Sequence, residues 1–540
     1  METMSVSSLW RHYNRKDLPL DVTVLKREEE ENCTIEYVFF NGEATLDGCV
    51  RVYGEYYKNK TPNGASVIVM NDAETLMDRK HVNLFLARGY HVLLLDYAGE
   101  REEKGYFTVY PNPLKRANYF TNPNTLTDTE HKLKTTCWYV WTTVMLRGIT
   151  FLESKSETDP KKINLFGEKL GGFQVWKAVV VEPSVCSAVV LNNSGYVSLP
   201  FTEDANFNYQ TCLNNFSYAQ QTEVPVLIQV TTNASDNSID YMNDLYMGTS
   251  SDKCKFSISE RSDNQMGYRQ WDNVKLFMNY YNFGIGKLPS FPTTKPVQEN
   301  HELYYEVTVD ESIEIEHIEL FVSQGIDNDA YKNWRSYKVE PYGENKYRAK
   351  VNVPNNRQEM SAFINVKYKD SLCVSSEIVK NIPFLMGVNS TPIKTSRLLY
   401  TSEYGLDEWT SKKGSENGES VLKTKRGYHG IGGVSSTSCS LTTYKLGDPS
   451  YSGAGKTLLQ IMLFSRRNQD LSLSITRRIK DTFKKYYYTK TVYAHNDWVK
   501  LDLSATDFRS LEGMNEDWEN IVCITIDSEE PIIINSMLWI

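Results

Sequence analysis

The segment Ile163-Asn164-Leu165-Phe166-Gly167-Glu168-Lys169-Leu170-Gly171-Gly172 constrains this chain more than any other. It reads as a buried strand, a sharp glycine-flanked turn, and a helix from Gly171 to about Val181, where Pro183 stops it. The Gly-x-Lys-x-Gly core has the build of a nucleophile elbow, in which small residues let a strained turn hold one side chain above a helix N-terminus. The apex is Lys169. A lysine has no hydroxyl for a base to deprotonate, so serine-type acyl transfer cannot start from this position. The turn speaks for a fold and against its usual chemistry.

At 540 residues the chain exceeds one hydrophobic core, and its length suggests roughly three to four domains. A hydrophobic content of 40% with 24% charged residues is that of a globular protein. The net charge of -9 argues against nucleic acid or an anionic membrane as partner. Residues 1–16 are polar, so no secretory leader is expected, and no stretch has the roughly 18 apolar residues of a membrane helix. The expected location is therefore cytoplasmic, or a surface layer reached without a leader, such as a spore coat. Nine cysteines without a C-x-x-C pair favour reduced, buried thiols over disulfides or a zinc site.

Along the chain, strand-like runs at Cys33–Phe40, Cys49–Tyr57, Ala65–Met70 and His91–Leu95 are followed by a helical pattern over Glu130–Leu152. A helical run over Leu76–Arg88 lies between the last two strands. After the elbow come Ala188–Leu191, Val224–Val230 and Lys255–Ser259, then a helix over Tyr268–Tyr281. Alternation of this kind predicts a mostly parallel sheet with helices on both faces. Lys287–Val297 carries three prolines and reads as a linker. Beyond it the period becomes two: Leu303, Tyr305, Val307 and Val309 alternate with polar partners, as do Ala362, Ile364, Val366 and Tyr368. This predicts an immunoglobulin-like sandwich over 298–386. After a second break at Met386–Ser396, Leu459, Ile461, Leu463 and later alternating runs predict a jelly-roll sandwich over 397–540.

Residues 1–288 resemble an α/β-hydrolase of the acetyl-xylan-esterase and dienelactone-hydrolase-like group. The resemblance runs from Trp10-Arg11-His12-Tyr13 to Tyr281 and is carried, beyond the elbow, by several stretches. These are Thr108-Val109-Tyr110-Pro111, Ala117-Asn118-Tyr119, Trp138-Tyr139-Val140-Trp141, Thr150-Phe151-Leu152 and Asp159-Pro160. The last domain resembles galactose-binding-like jelly rolls through Trp498-Val499-Lys500-Leu501-Asp502-Leu503, Phe508, Trp518 and Leu538-Trp539-Ile540. The expected class is thus a multidomain protein, an α/β-hydrolase followed by two all-β sandwiches. The resemblance implies a triad whose positions here hold Lys169 for the nucleophile, Ala234 for the acid and Gln265 for the histidine. No histidine occurs between His131 and His301 to replace it. The oxyanion loop, usually His-Gly-Gly in that group, reads Asn71-Asp72-Ala73, and the backbone amide of Leu170 remains as the other donor. The implied domain is a pseudoenzyme.

Lys169 also has a functional reading. A helix N-terminus and partial burial both favour the neutral amine, the state of an imine-forming lysine. The structural reading, a cation paired with Glu168, Asp72, Asp236 or Asp263, is preferred because no second catalytic group is identifiable. Gly453-Ala454-Gly455-Lys456-Thr457 imitates the end of a phosphate loop, but Ser450 stands where its first glycine belongs. Trp498, Trp518 and Trp539 suit sugar stacking, and core positions better. Family habit places a calcium near Asp407 and Glu408; the metal content is otherwise unknown, and no cofactor is expected. The expected function is structural or assembly work, or binding of protein or glycan, with glycan contact through the last domain and no membrane insertion. The alternative is a carbohydrate esterase or other hydrolase with a rearranged site, or a Lys169-dependent catalyst.

Overall fold

The structure, a computed structural model, describes residues 5–101, 105–130, 132–192, 202–234, 239–249, 251–262, 268–411, 421–453 and 457–540. It divides into two compact units. The first comprises Met1–Val230, Ser238–Ser257 and Val274–Leu288, and the second Thr231–Asn237, Ile258–Asn273 and Pro289–Ile540.

A nine-stranded sheet organises the first unit. Its strands are β1 (Thr23–Glu29), β2 (Cys33–Thr45), β3 (Gly48–Asn59), β4 (Ser66–Met70), β5 (His91–Leu95), β6 (Ile163–Glu168), β7 (Ser187–Leu191), β8 (Val226–Thr231) and β9 (Lys255–Ser259). The order is β1-β2-β3-β5-β4-β6-β7-β8-β9. Pairing is antiparallel from β1 through β3 to β5 and parallel from β5 to β8. This is the α/β-hydrolase sheet with one extra antiparallel strand, β1, at its edge. Strands β4, β5 and β7 are buried at every residue, as continuous apolar runs require when both sheet faces are covered. The helix Cys137–Glu153 packs on β4 and β5 at Gly148, where a Cβ would stand 2.8 Å from the Leu95 side chain.

Two helices are shorter than their periodicity suggests. The first spans Lys80–Leu86, because the Asn71 amide donates to the carbonyls of Leu76 and Asp78 and holds the preceding residues in a loop. The second starts at Cys137, where the Thr136 side chain accepts from the Tyr139 N–H and caps it.

The second unit is all antiparallel sandwich from Thr293 onward. One sandwich pairs a sheet of Thr293–Glu299, Glu302–Thr308, Lys346–Val351 and Glu340–Gly343 with a sheet built on Ile315–Gln324 and Met360–Tyr368. Phe321 and Phe363, opposite each other on adjacent strands of the second sheet, stack with ring centroids 5.2 Å apart. Residues 293–297, expected to be linker, form its first strand. Pro296 is tolerated there because the strand lies at the sheet edge, where one side needs no N–H donor. The C-terminal sandwich has one sheet ordered Leu422–Arg426, Gly432–Ser436, Ile533–Trp539, Leu459–Phe464, Val499–Leu503. The other sheet is led by Ser440–Thr443, Ile521–Ser528, Gln469–Ile479 and Thr482–Val492. Leu459, Ile461, Leu463, Ile475, Trp518 and Trp539 fill the space between. The break at Met386–Ser396 contains no strand but is hydrogen-bonded along its length, Asn389 N–H to His301 O and Thr391 N–H to Val353 O. Among the described residues no helix is long and apolar enough to cross a membrane.

Candidate functional site: the lysine elbow

Strand β6 ends at Glu168 and the next helix, Leu170–Val181, begins two residues on, so Lys169 carries the whole reversal. Its φ of 47° and ψ of -116° lie outside the regions L-residues favour, a strain of about 1–3 kcal/mol that surrounding structure must enforce. The glycines show how. A Cβ on Gly171 would lie 2.0 Å from the Met70 carbonyl oxygen, and one on Gly167 would lie 2.6 Å from the Gly172 backbone. Helix start and strand ends therefore touch backbone to backbone, and any larger residue would push the elbow open.

The loop after β4 supplies the decisive contact. The Asp72 carboxylate accepts from the N–H of Ala73 at 2.9 Å, and the nearby backbone N–H of Leu170 favours its charged form. In a working elbow, the amide after the nucleophile and an amide from this loop are the oxyanion donors. Here the Ala73 amide already holds a carboxylate of the chain itself, and the Leu170 amide favours the charge of that same group. Lys169 Nζ stands 3.8 Å from Asp72 Oδ2, with side chains 21% and 14% exposed. Burial pushes the Asp72 carboxyl up, while Lys169 and the two amides pull it down.

Behind this pair sits a second acid. Glu168 is held mostly buried at the end of β6, and burial pushes its carboxyl up to about 7, Lys80 and Lys169 opposing and Asp72 and Asp78 adding to the shift. His81 Nδ1 lies 3.9 Å from Glu168 Oε2 and 2.7 Å from Asn71 Oδ1. Since Asn71 Oδ1 can only accept, His81 carries its proton on Nδ1. Burial lowers His81 to about 3, so it is neutral. Asn71, expected only as a remnant of an oxyanion loop, is thus a brace for residues 71–81. Its backbone carbonyl takes the Tyr97 hydroxyl at 2.8 Å. Neither His81 nor the raised Glu168 was visible in the sequence, because His81 is brought to the elbow only by the pairing of β4 with β6.

A carboxyl with a raised folded pKa binds extra protons when folded, so stability falls as pH rises through the interval between the two values. For Glu168 that interval runs from 4.5 to about 7. Glu168→Gln is expected to flatten the loss across it and to make the protein about 1–3 kcal/mol more stable above pH 7. Urea titrations of both proteins at pH 4.5, 6 and 8 check this; an unchanged slope would refute it.

Of the remaining expected positions, Ala234 is buried three residues beyond the end of β8. Gln265, Asp236 and Asp263 lie outside the described residues. Glu408 pairs with Lys445 at 3.3 Å, and among the described residues no group of three or more His, Cys, Asp or Glu could hold a metal ion. Trp518 and Trp539 are core, their rings 5.1 Å apart and their indole N–H groups bound to the Thr457 and Tyr451 carbonyls. Trp498 is only half-buried. Gly453 serves packing, since a Cβ there would meet the Trp539 ring at 2.8 Å, while residues 454–456 lie outside the described set.

No protein-family model matches the chain, and no curated protein matches it either. Among solved structures it is similar to acetyl xylan esterase 1 of a Thermoanaerobacterium species, at 14% identity and TM-score 0.38 over 51% of this chain and 94% of that one. An acetyl xylan esterase from a Paenibacillus species matches at 13% identity and TM-score 0.35, covering 51% and 92%. A glucuronoyl esterase from Solibacter usitatus matches at 10% identity and TM-score 0.36, covering 51% and 90%. Identities this low leave the chemistry of the elbow to be read from its own residues.

Proposed function

We propose that the α/β-hydrolase domain is a non-catalytic pseudo-hydrolase and that the protein works as a binding or assembly component, with protein or glycan as partner. The observation that carries this reading is the Asp72 carboxylate, held by the Ala73 amide at 2.9 Å and standing 3.8 Å from Lys169 in the former oxyanion loop. An oxyanion forming on a substrate would have to displace a resident anion that sits beside a cation. Together with a lysine at the apex, this removes both the attacking atom and the stabilising hole of acyl transfer. Cytoplasmic location belongs to the same proposal, as does the absence of nucleic-acid or membrane partners, which the net charge of -9 supports.

A second reading, a hydrolase with a rearranged site or a Lys169-dependent catalyst, is favoured by one observation. Glu168, pushed up to about 7 beside Lys169, is in the range where a general acid or base works near neutral pH. Assays of the full chain on p-nitrophenyl acetate and acetylated xylan, with borohydride trapping of a carbonyl substrate on Lys169, separate the two. No turnover and no trapped adduct are expected. Turnover abolished by Glu168→Gln or Lys169→Met would install the second reading instead. Sedimentation of the pure protein then separates self-assembly from ligand binding.

A further inference from the structure

We infer that the outer face of the C-terminal sandwich holds a binding groove for an acidic saccharide, a sugar chain bearing carboxylate or sulfate groups. The inference builds on the binding reading above but does not depend on the state of the elbow. Strand register defines the face. Val434, Ile534 and Leu463 point into the core. The neighbouring pairs Lys425 with Gly433 and Phe464 with Ile533 alternate to the other side of the same sheet. A cleft of about 380 Å³ lies there, within the range of small-molecule sites. Beside it, Gly433 lets two strands of this sheet approach closely, since a Cβ there would lie 2.3 Å from the Ile534 carbonyl oxygen.

The rim is cationic in a chain of net charge -9. Lys425, Arg466 and Arg467 face the cleft against one carboxylate, Glu530. Glu530 meets Arg467 at 3.0 Å, and among the described residues Lys425 and Arg466 have no carboxylate partner. The backbone that carries these groups is tied in place. The buried Gln469 donates to Ser465 Oγ at 2.8 Å and accepts the Glu530 N–H at 2.9 Å, which clamps the arginine turn to the turn holding Glu530. Exposed guanidinium groups on a fixed turn suit planar carboxylate or sulfate acceptors.

Charge alone would fit any polyanion; the neighbouring surface favours a sugar. Ile533 and Pro531 give the cleft an apolar side. Past Ile533 its strand neighbour Phe464 lies 5.8 Å from the half-buried ring of Trp498. Gly427, two residues along the strand line from Lys425, leaves that indole room: a Cβ would approach it to 3.0 Å. Cations beside flat rings match a pyranose that has apolar C–H faces and an acidic substituent.

Calorimetric titration of the full chain with oligogalacturonate for the carboxylate arm and sulfated dextran oligomers for the sulfate arm tests the inference. Polyphosphate, oligoglutamate and neutral xylo-oligosaccharide serve as comparators. At least one acidic saccharide is expected to bind more tightly than every comparator. Arg466→Ala and Lys425→Ala should each weaken it about tenfold. Glu530→Gln should tighten it several-fold, a gain that a misfolded variant cannot give. Trp498→Ala should weaken saccharide binding while leaving any polyphosphate binding unchanged. Equal binding of polyphosphate or oligoglutamate, equal binding of the neutral sugar, no binding at all, or variants without effect would each overturn it. Esterase activity in the same preparation would defeat the non-catalytic reading and leave this one standing.

Discussion

Lys169→Ser is expected to leave hydrolysis of p-nitrophenyl acetate at background and to cost about 1–3 kcal/mol of stability. Burial lowers the nearby His81 to about 3, which makes it too weak a base for the new hydroxyl, and the Ala73 amide that would bind an oxyanion already holds Asp72. Removing Lys169 also strips the cation that stands 3.8 Å from that carboxylate. Asp72 keeps the Ala73 amide donor, which is why the expected cost is moderate. Combining Lys169→Ser with Asp72→Ala empties the amide pair, and even then turnover should stay within about a thousandfold of the reaction in water, the level a disabled triad retains. Denaturant titration and an initial-rate assay measure both effects. An efficient esterase from the single change would require a working proton relay and would end the non-catalytic reading.

Lys177→Met is expected to stabilise the protein by about 2 kcal/mol at pH 7 and to abolish a rise in stability at alkaline pH. Lys177 lies on the elbow helix with no exposed surface, its Nζ donating to Asn215 Oδ1 at 2.7 Å and the Phe173 carbonyl at 3.2 Å. The rings of Trp138, Phe173 and Tyr218 surround it at 5.5 Å and favour a cation. Burial, with no carboxylate beside Nζ among the described residues, outweighs them and lowers the amine from 10.5 to about 7. The unfolded chain therefore binds the proton more readily than the folded one between those values. Stability must rise with pH across that window and carry the full penalty below it. At about 1.4 kcal/mol per unit the penalty is several kcal/mol, and the Asn215 oxygen left short of a donor returns about 1–3 of it. Thermal melts from pH 6 to 10 give the answer. A variant less stable at pH 7, or one that keeps the alkaline rise, would show that the amine is charged and well solvated by its cage.

The elbow was legible in the sequence because its cause is local. Two glycines at fixed spacing around Lys169, between an apolar run and a helical one, leave few backbone solutions, and the contacts at Gly167 and Gly171 are those the spacing anticipates. The switch from helical to two-residue periodicity beyond Leu303 announced the sandwiches for the same reason, since side-chain direction repeats within a strand. Local pattern also misled. Three prolines near Pro296 read as a linker, yet an edge position needs no donor and makes the proline acceptable.

What a side chain meets across the sheet was decided by tertiary structure alone. The sequence places Asp72 in a loop and Leu170 at a helix start, but only the parallel pairing of β4 with β6 brings that carboxylate to that amide. Likewise, alike tryptophans separate into core (Trp518, Trp539) and half-buried (Trp498) positions through contacts with segments distant in the chain. Lys177 is one more polar residue on a helix until Trp138, Tyr218 and Asn215, all distant in sequence, close over it. Periodicity and turn chemistry are encoded within a few residues and so can be read directly. Desolvation and charge pairing depend on segments far apart in the chain, and they exist only once the chain has folded.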